Sequence, residues 1–254
     1  MDTLTSSASA TAAPTSKPGL AAASAEDWFR PCALILIEDQ CATLADLVKA
    51  LIDDDLPCLL IDGRGAVSSD LATLLDELAR NPAVHVLSHI ANEVRGAAIA
   101  RGLREAARLG YSHAAQVDAH GRDDLQRVSL FLDRASQAPD AVICSHPQPE
   151  ATAASEDFPT RCIARLSRLS VSVRASLCEL RVYPLATTLA HAEHPQLTGT
   201  RHFDSELLLR MHGRNQPMVW LRTASLPGAD SRSCGRMGAL GMARFLARGL
   251  LRRG

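Results

Sequence analysis

Between residues 32 and 145 short apolar runs alternate with stretches of helical period, and that alternation admits few folds. CALILI (32–37), CLLI (58–61), AVHVL (83–87), HAAQVD (113–118) and DAVICS (140–145) read as five strands. In TLADLVKALI (43–52), Leu44, Leu47, Val48 and Leu51 share one helical face, with Thr43 and Asp46 at capping-box spacing. Leu71, Leu74, Leu75 and Leu78 mark a second helix, and an Ala-rich stretch (93–109) stopped by Gly110 marks a third. Leu125, Val128, Phe131, Leu132 and Ala135 mark a fourth. Near-continuous apolar strands joined by amphipathic crossovers specify a mostly parallel sheet covered on both faces. The expected class is a single α/β domain whose five strands lie side by side in one direction. Beyond residue 150 the alternation stops: a helical stretch (160–174) leads to LCELRVYPL (177–185), a helix in HFDSELLLRMH (202–212) and a strand in PMVWLR (217–222).

The 46% apolar and 22% charged content of the 254-residue chain is that of a soluble globular protein. A net charge of −1 gives no general drive toward nucleic acid. The charge is uneven: residues 199–254 carry ten Arg against three acids, a net of +7, which leaves −8 on the rest. Seven cysteines, odd in number and never spaced as C-x-x-C, point to reduced thiols and a cytoplasmic location. No run of about 18 apolar residues exists to span a membrane. Residues 1–28, rich in Ala, Ser and Thr, read as a disordered tail.

In a parallel α/β sheet, ligands bind beyond the carboxyl ends of the strands. The residues expected there are Glu38 and Asp39, Asp62, and Asp118 with His120. Neither G-x-G-x-x-G nor G-x-x-x-x-G-K-[ST] is present, so a dinucleotide or P-loop site is not expected.

The order of the segments LIED (36–39), IDGRG (61–65), NEVRG (92–96), QVDAHGRDD (116–124), SLCELRVYP (176–184), FDSELL (203–208) and DSRSCG (230–235) resembles the family 2 glycosyltransferases of GT-A fold. Within that family the resemblance is to the group near dolichyl-phosphate mannose synthase. Several positions depart from the family pattern: Gly63 and His120 stand where it has a second acid, Val94 and Arg95 where it has Gly and Lys, Glu179 where it has Gly, and Cys234 where it has His.

The resemblance implies transfer of a hexose, with inversion, from a nucleotide-sugar to a lipid-type or polyprenyl-phosphate acceptor. It places Glu38, Asp39, Asp62, Arg95 and Asp118 on the donor, and Arg181 and Tyr183 on the acceptor side. Asp204, with Glu206 beside it, becomes the candidate catalytic base. A divalent cation, Mn2+ or Mg2+, would use Asp118 and His120, since a cation offsets charge on a leaving diphosphate. On a helix, Asp204 and Glu206 point about 200° apart, so only one can face a given cleft. Plainer readings stand beside these: Asp118 as a strand-end acid on backbone N–H groups, Asp123 with Gln126 as a helix cap, Asp204 as a helix-start charge. The domain is expected over 29–235. The stretch 236–254 forms a basic amphipathic helix that either rests on an anionic membrane at the inner face or packs on the domain. The altered acids at 63 and 120 also admit a catalytically impaired binding or scaffold protein on the same fold.

Overall fold

The computed structural model describes residues 28–37, 42–63, 69–119, 125–147, 175, 178, 180–199 and 202–223. The five expected strands form as β1 (Pro31–Ile37), β2 (Cys58–Asp62), β3 (Val84–Leu87), β4 (His113–Asp118) and β5 (Val142–Pro147). RVYP becomes β6 (Arg181–Pro184) and the last apolar run becomes β7 (Met218–Thr223). All seven make one sheet in the order β3-β2-β1-β4-β6-β5-β7. The first four are mutually parallel, and β6 runs antiparallel to both β4 and β5. The five strands therefore do share one direction, but the expectation that all five are neighbours is corrected: β6 enters between β4 and β5. Its four residues are all buried, so no alternation announced it as a separate strand.

Helices cover both faces. On one face, α1 (Leu44–Asp53), α2 (Ser69–Leu78) and α4 (Leu125–Gln137) pack Leu47, Leu51, Leu71 and Phe131 onto Ala33, Ile35, Leu60 and Val117. On the other lie α3 (Arg95–Arg108), α5 (Leu185–Ala192), α6 (Pro195–Thr198) and α7 (Phe203–Gly213). There Leu103, Phe203, Leu207 and Met211 meet Leu34, Ile61, Ala114 and Tyr183. A Cβ on Gly102 would stand 2.3 Å from Ile61 Cδ1 and 2.8 Å from Leu34 Cδ1, so α3 lies closer to the sheet than any side chain there would allow. At α1, Thr43 takes the N-cap position, but its hydroxyl makes no cap hydrogen bond, which corrects the capping-box expectation. The proposed cap at Asp123, the helix over 160–174, the tail through residue 27 and the stretch 236–254 fall outside the described residues.

Candidate functional site

The chain steps from β1 outward to β2 and β3, then returns to β4 on the opposite side of β1. The strand order thus reverses between β1 and β4. This is the place where open α/β sheets take ligands. Asp118 ends β4 at that point, aligned with Leu36 of β1. Asp62 ends β2, aligned with Ile37. The two acids flank β1, about 10 Å apart for two strand spacings.

Alternation sends them to opposite faces. Leu36 and Ile37 are successive residues, so Asp62 lies on the side of Leu60 and α1, while Asp118 lies on the side of Gln116 and α3. Asp62 is nearly buried and Asp118 is part exposed. The Gly63 N–H donates to the Ile37 carbonyl at 3.0 Å and carries the β1–β2 pairing one residue past Asp62. Glu38, Asp39 and His120 fall outside the described residues.

On the Asp118 face stands a fixed polar cluster centred on Asp204. Arg95 Nη2 donates to Asp204 Oδ2 at 3.1 Å, and Gln116 Nε2 donates to Asp204 Oδ1 at 2.9 Å. Arg181, the cross-strand partner of Gln116, adds its charge nearby. Burial pushes the Asp204 carboxyl up, but Arg181, Arg95 and Gln116 together outweigh it and hold the group below the ordinary range, so it stays ionised. The cluster gathers the first turn of α3, the centre of β4, the start of β6 and the first turn of α7. Gly96 makes the α3 approach possible: a Cβ there would meet the Thr198 carbonyl at 2.9 Å and the Leu197 carbonyl at 3.0 Å. The loop before α3 is fixed as well. Arg101 grips Glu93 through two nitrogens, at 3.0 and 2.8 Å, and donates to the Ser88 carbonyl at 3.1 Å.

The structure thus brings together Arg95, Asp204 and Arg181 from the expected set, with Asp118 two residues beyond Gln116 on the same face. Asp62 stands on the other side of the sheet edge. Glu206 is part exposed, and its carboxylate makes no hydrogen bond or ion pair among the described residues. Arg181 is only 6% exposed, and Tyr183 is fully buried beneath it, aligned with Ala114. Gln116 was not anticipated. Its signal is spacing: two residues before Asp118 in a strand, it must share that acid's face. Gln116 Oε1, Arg181 Nε and Tyr183 Oη, all on this face, make no hydrogen bond among the described residues.

No family model matches the chain, and no curated protein matches its sequence. Solved structures do. Glucosyl-3-phosphoglycerate synthase from Mycobacterium tuberculosis, in complex with Mn2+, uridine-diphosphate-glucose and phosphoglyceric acid, is similar with a TM-score of 0.56 at 12% identity, over 89% of this chain and 81% of that one. The complex of the same enzyme with uridine-diphosphate gives 0.55 at 13% identity, over 92% and 86%. The 4-diphosphocytidyl-2C-methyl-D-erythritol synthase from Anaerococcus prevotii gives 0.52 at 9% identity, over 79% and 90%. At such identities the likeness is one of architecture: the chain has the GT-A-type α/β fold that these structures share.

Proposed function

We propose that the protein transfers a hexose from a nucleotide-sugar to a lipid-type acceptor of the polyprenyl-phosphate kind. The observation that carries this reading is the Arg95–Asp204–Gln116 cluster, set on the same face as Asp118 at the switch point of the sheet. In this reading Asp62, Glu38 and Asp39 face the donor's base and ribose, and Arg95 faces its phosphates. Arg181, with Tyr183 below it, lies toward the acceptor.

A divalent cation, Mn2+ or Mg2+, would be held by Asp118 with His120. Among the described residues no three His, Cys, Asp or Glu side chains gather into a protein cage. The Asp118 carboxylate still suits a cation brought in with its substrate, because Mg2+ typically keeps one or two carboxylates and takes its other oxygens from phosphates and water; the imidazole of His120 would favour Mn2+ over Mg2+. Such a cation would offset the charge that builds on the departing diphosphate.

The low proton affinity of Asp204 favours a phosphate acceptor over a hydroxyl. A hydroxyl must lose its proton, and a carboxylate held between cations is a weak base for that task. A phosphate is already anionic and needs no base, so Asp204 can act by holding Arg95 in place. Glu206, on another side of α7, is the remaining candidate base. The catalytic domain would then span 29–235, with residues 236–254 lying on the cytoplasmic membrane face. No helix among the described residues is long and apolar enough to cross a membrane. If the peripheral reading holds, removing residues 236–254 will abolish cosedimentation with anionic vesicles while leaving nucleotide binding intact.

Titration calorimetry with UDP and GDP, with and without Mn2+, tests the donor site. Binding strengthened by Mn2+ and reduced to the metal-free level by Asp118→Ala is the expected result. No binding of either nucleotide under any condition would favour the other reading, a binding or scaffold protein built on a glycosyltransferase fold.

A further inference from the structure

Residues 88–94 join β3 to α3. Leu87 aligns with Ile61, so the loop begins level with Asp62. It ends at Val94, the N-cap of α3, one residue before Arg95. The loop therefore leads from the acid that closes β2 to the cation that meets Asp204. Asn92 adopts a left-handed conformation (φ 62°), which asparagine tolerates, and the Glu93 N–H donates to the Ile90 carbonyl at 2.9 Å, so the chain turns sharply before the helix starts. Ile90 is 50% exposed and does not pin the loop by burial. His89 Nδ1 makes no hydrogen bond among the described residues, so that atom gives no hold either.

Both ends of the loop are held instead by one side chain in the second turn of α3. Arg101 Nε and Nη2 donate to the Glu93 carboxylate at 3.0 and 2.8 Å, and Nη2 also donates to the Ser88 carbonyl at 3.1 Å. The Glu93 side chain is only 8% exposed and that of Arg101 20%. A forked guanidinium–carboxylate pair shielded from water keeps its geometry, where exposed pairs contribute little. The anchor itself is fixed: Gly102, the next residue, lies against Ile61 and Leu34 too closely for a side chain to fit. Arg101 is turned about 120° from Arg95 around the helix and stands about 9 Å further along its axis. It serves the loop and not the polar cluster.

We infer that Arg101 is a positioning residue of the donor site. By clamping both ends of the β3–α3 loop, it sets the spacing between the groups that meet the base of a nucleoside diphosphate-sugar, beside Asp62, and those that meet its phosphates, at Arg95. This rests on the nucleotide-sugar reading of the site. Arg101 touches no part of the donor. It supplies a loop already in place, so that binding a nucleotide does not have to order it. A ligand that engages only the phosphate end gains nothing from the clamp.

The test is titration calorimetry on the full chain with Mn2+, comparing whichever of UDP and GDP the wild type binds with methylenediphosphonate, a diphosphate without base or sugar. Arg101→Gln is expected to weaken nucleotide binding about tenfold, the cost of ordering one or two side chains on binding, and to leave the affinity for methylenediphosphonate unchanged. Glu93→Gln, an isosteric change at the end of the loop, should reproduce that selective loss, and it carries the test if Arg101→Gln does not fold. The double variant should lose no more than either single one, because the same clamp is broken in all three. Arg101→Lys keeps the charge but not the fork and should fall between. Hydrogen exchange reads the loop without ligand: amides of residues 89–93 should exchange faster in Arg101→Gln, while those of 98–103 keep the wild-type rate. Unchanged nucleotide affinity in a variant whose loop exchanges faster would overturn the inference and leave the proposed function standing. So would an equal loss for nucleotide and methylenediphosphonate, the mark of general destabilisation. A wild type that binds neither nucleotide would overturn both.

Discussion

Asp204 neutralises more charge than any other side chain at the site. It faces Arg95 directly and Arg181 at longer range. Asp204→Asn keeps the shape and the contact to Gln116 but leaves the cations unbalanced. Removing one partner of a fully buried ion pair costs about 3 kcal/mol; for this part-buried pair the expected cost is about 2 kcal/mol, which for a domain of this size lowers the melting temperature by about 4–8 °C in a thermal scan. The pH dependence has a definite sign. The folded-state pKa of Asp204 lies below the ordinary 3.8, so its stabilising effect is whole above that value and disappears as pH falls through the lower folded value. Acid titration of the wild type should therefore show a loss of stability below that range which Asp204→Asn lacks. His113 acts on a different window. Its ring is packed against Phe29 and bonded to Ser112 and the Pro139 carbonyl at 2.9 Å each, and burial holds it below the ordinary 6.5. The folded state resists its protonation, so this contribution is whole above 6.5 and is lost as pH drops toward the lower folded value. The stability gap between wild type and His113→Gln, read as urea midpoints, should be smaller at about pH 5 than at about pH 7.5.

Among elements, α3 decides whether the site exists. Arg95 sits in its first turn and must reach α7, and Gly96 lets that turn press against the Leu197 and Thr198 carbonyls. Gly96→Ala improves helix propensity, yet its methyl meets backbone rather than a yielding side chain. The expected net cost is about 1–3 kcal/mol, together with loss of the Arg95–Asp204 contact in a crystal structure of the variant. If the variant is more stable and the pair intact, the close approach is not what positions the helix. What could be read from sequence divides along the same lines. β1 to β5 were visible as short continuous apolar runs, and α1 to α4 as the stretches of 3.6-residue period between them. β6 was not, since four buried residues show no period and direction leaves no trace in composition. The acids at strand ends were visible because the apolar runs stop abruptly after Ile61 and Val117. Gln116 was hidden, because an amide inside an apolar strand reads as one imperfect core residue until α7 brings Asp204 onto it.

Across the whole molecule, the two edges of the sheet have different work. The amino edge is closed by packing: Trp28 and Phe29 stack against His113, and the Arg30 guanidinium lies over the Tyr111 ring at 5.9 Å. The carboxyl edge ends instead in Asp62 and Asp118, two strands apart and on opposite faces, so a ligand that engages both must cross the end of β1. A nucleoside diphosphate is long enough to do so, with its base toward Asp62 and its phosphates toward Asp118 and Arg95. A compact anion such as inorganic phosphate is not. Hydrogen exchange separates these cases, because bound ligand slows opening only where it bridges structure. With saturating UDP or GDP and Mn2+, amides of residues 62–63 and of 117–119 should slow together, while those of 111–113 at the amino edge stay unchanged. Inorganic phosphate should slow at most the second group. Slowing spread evenly over both edges would report global stabilisation, which at about 100 times the dissociation constant amounts to about 2.7 kcal/mol, and would show that the ligand does not sit across β1. Protection confined to the Asp118 side would mean that Asp62 is a turn acid and that the donor's base is held elsewhere. Joint protection abolished by Asp118→Ala on one side and weakened by Asp62→Asn on the other would establish that the switch point, rather than either acid alone, is the unit of recognition.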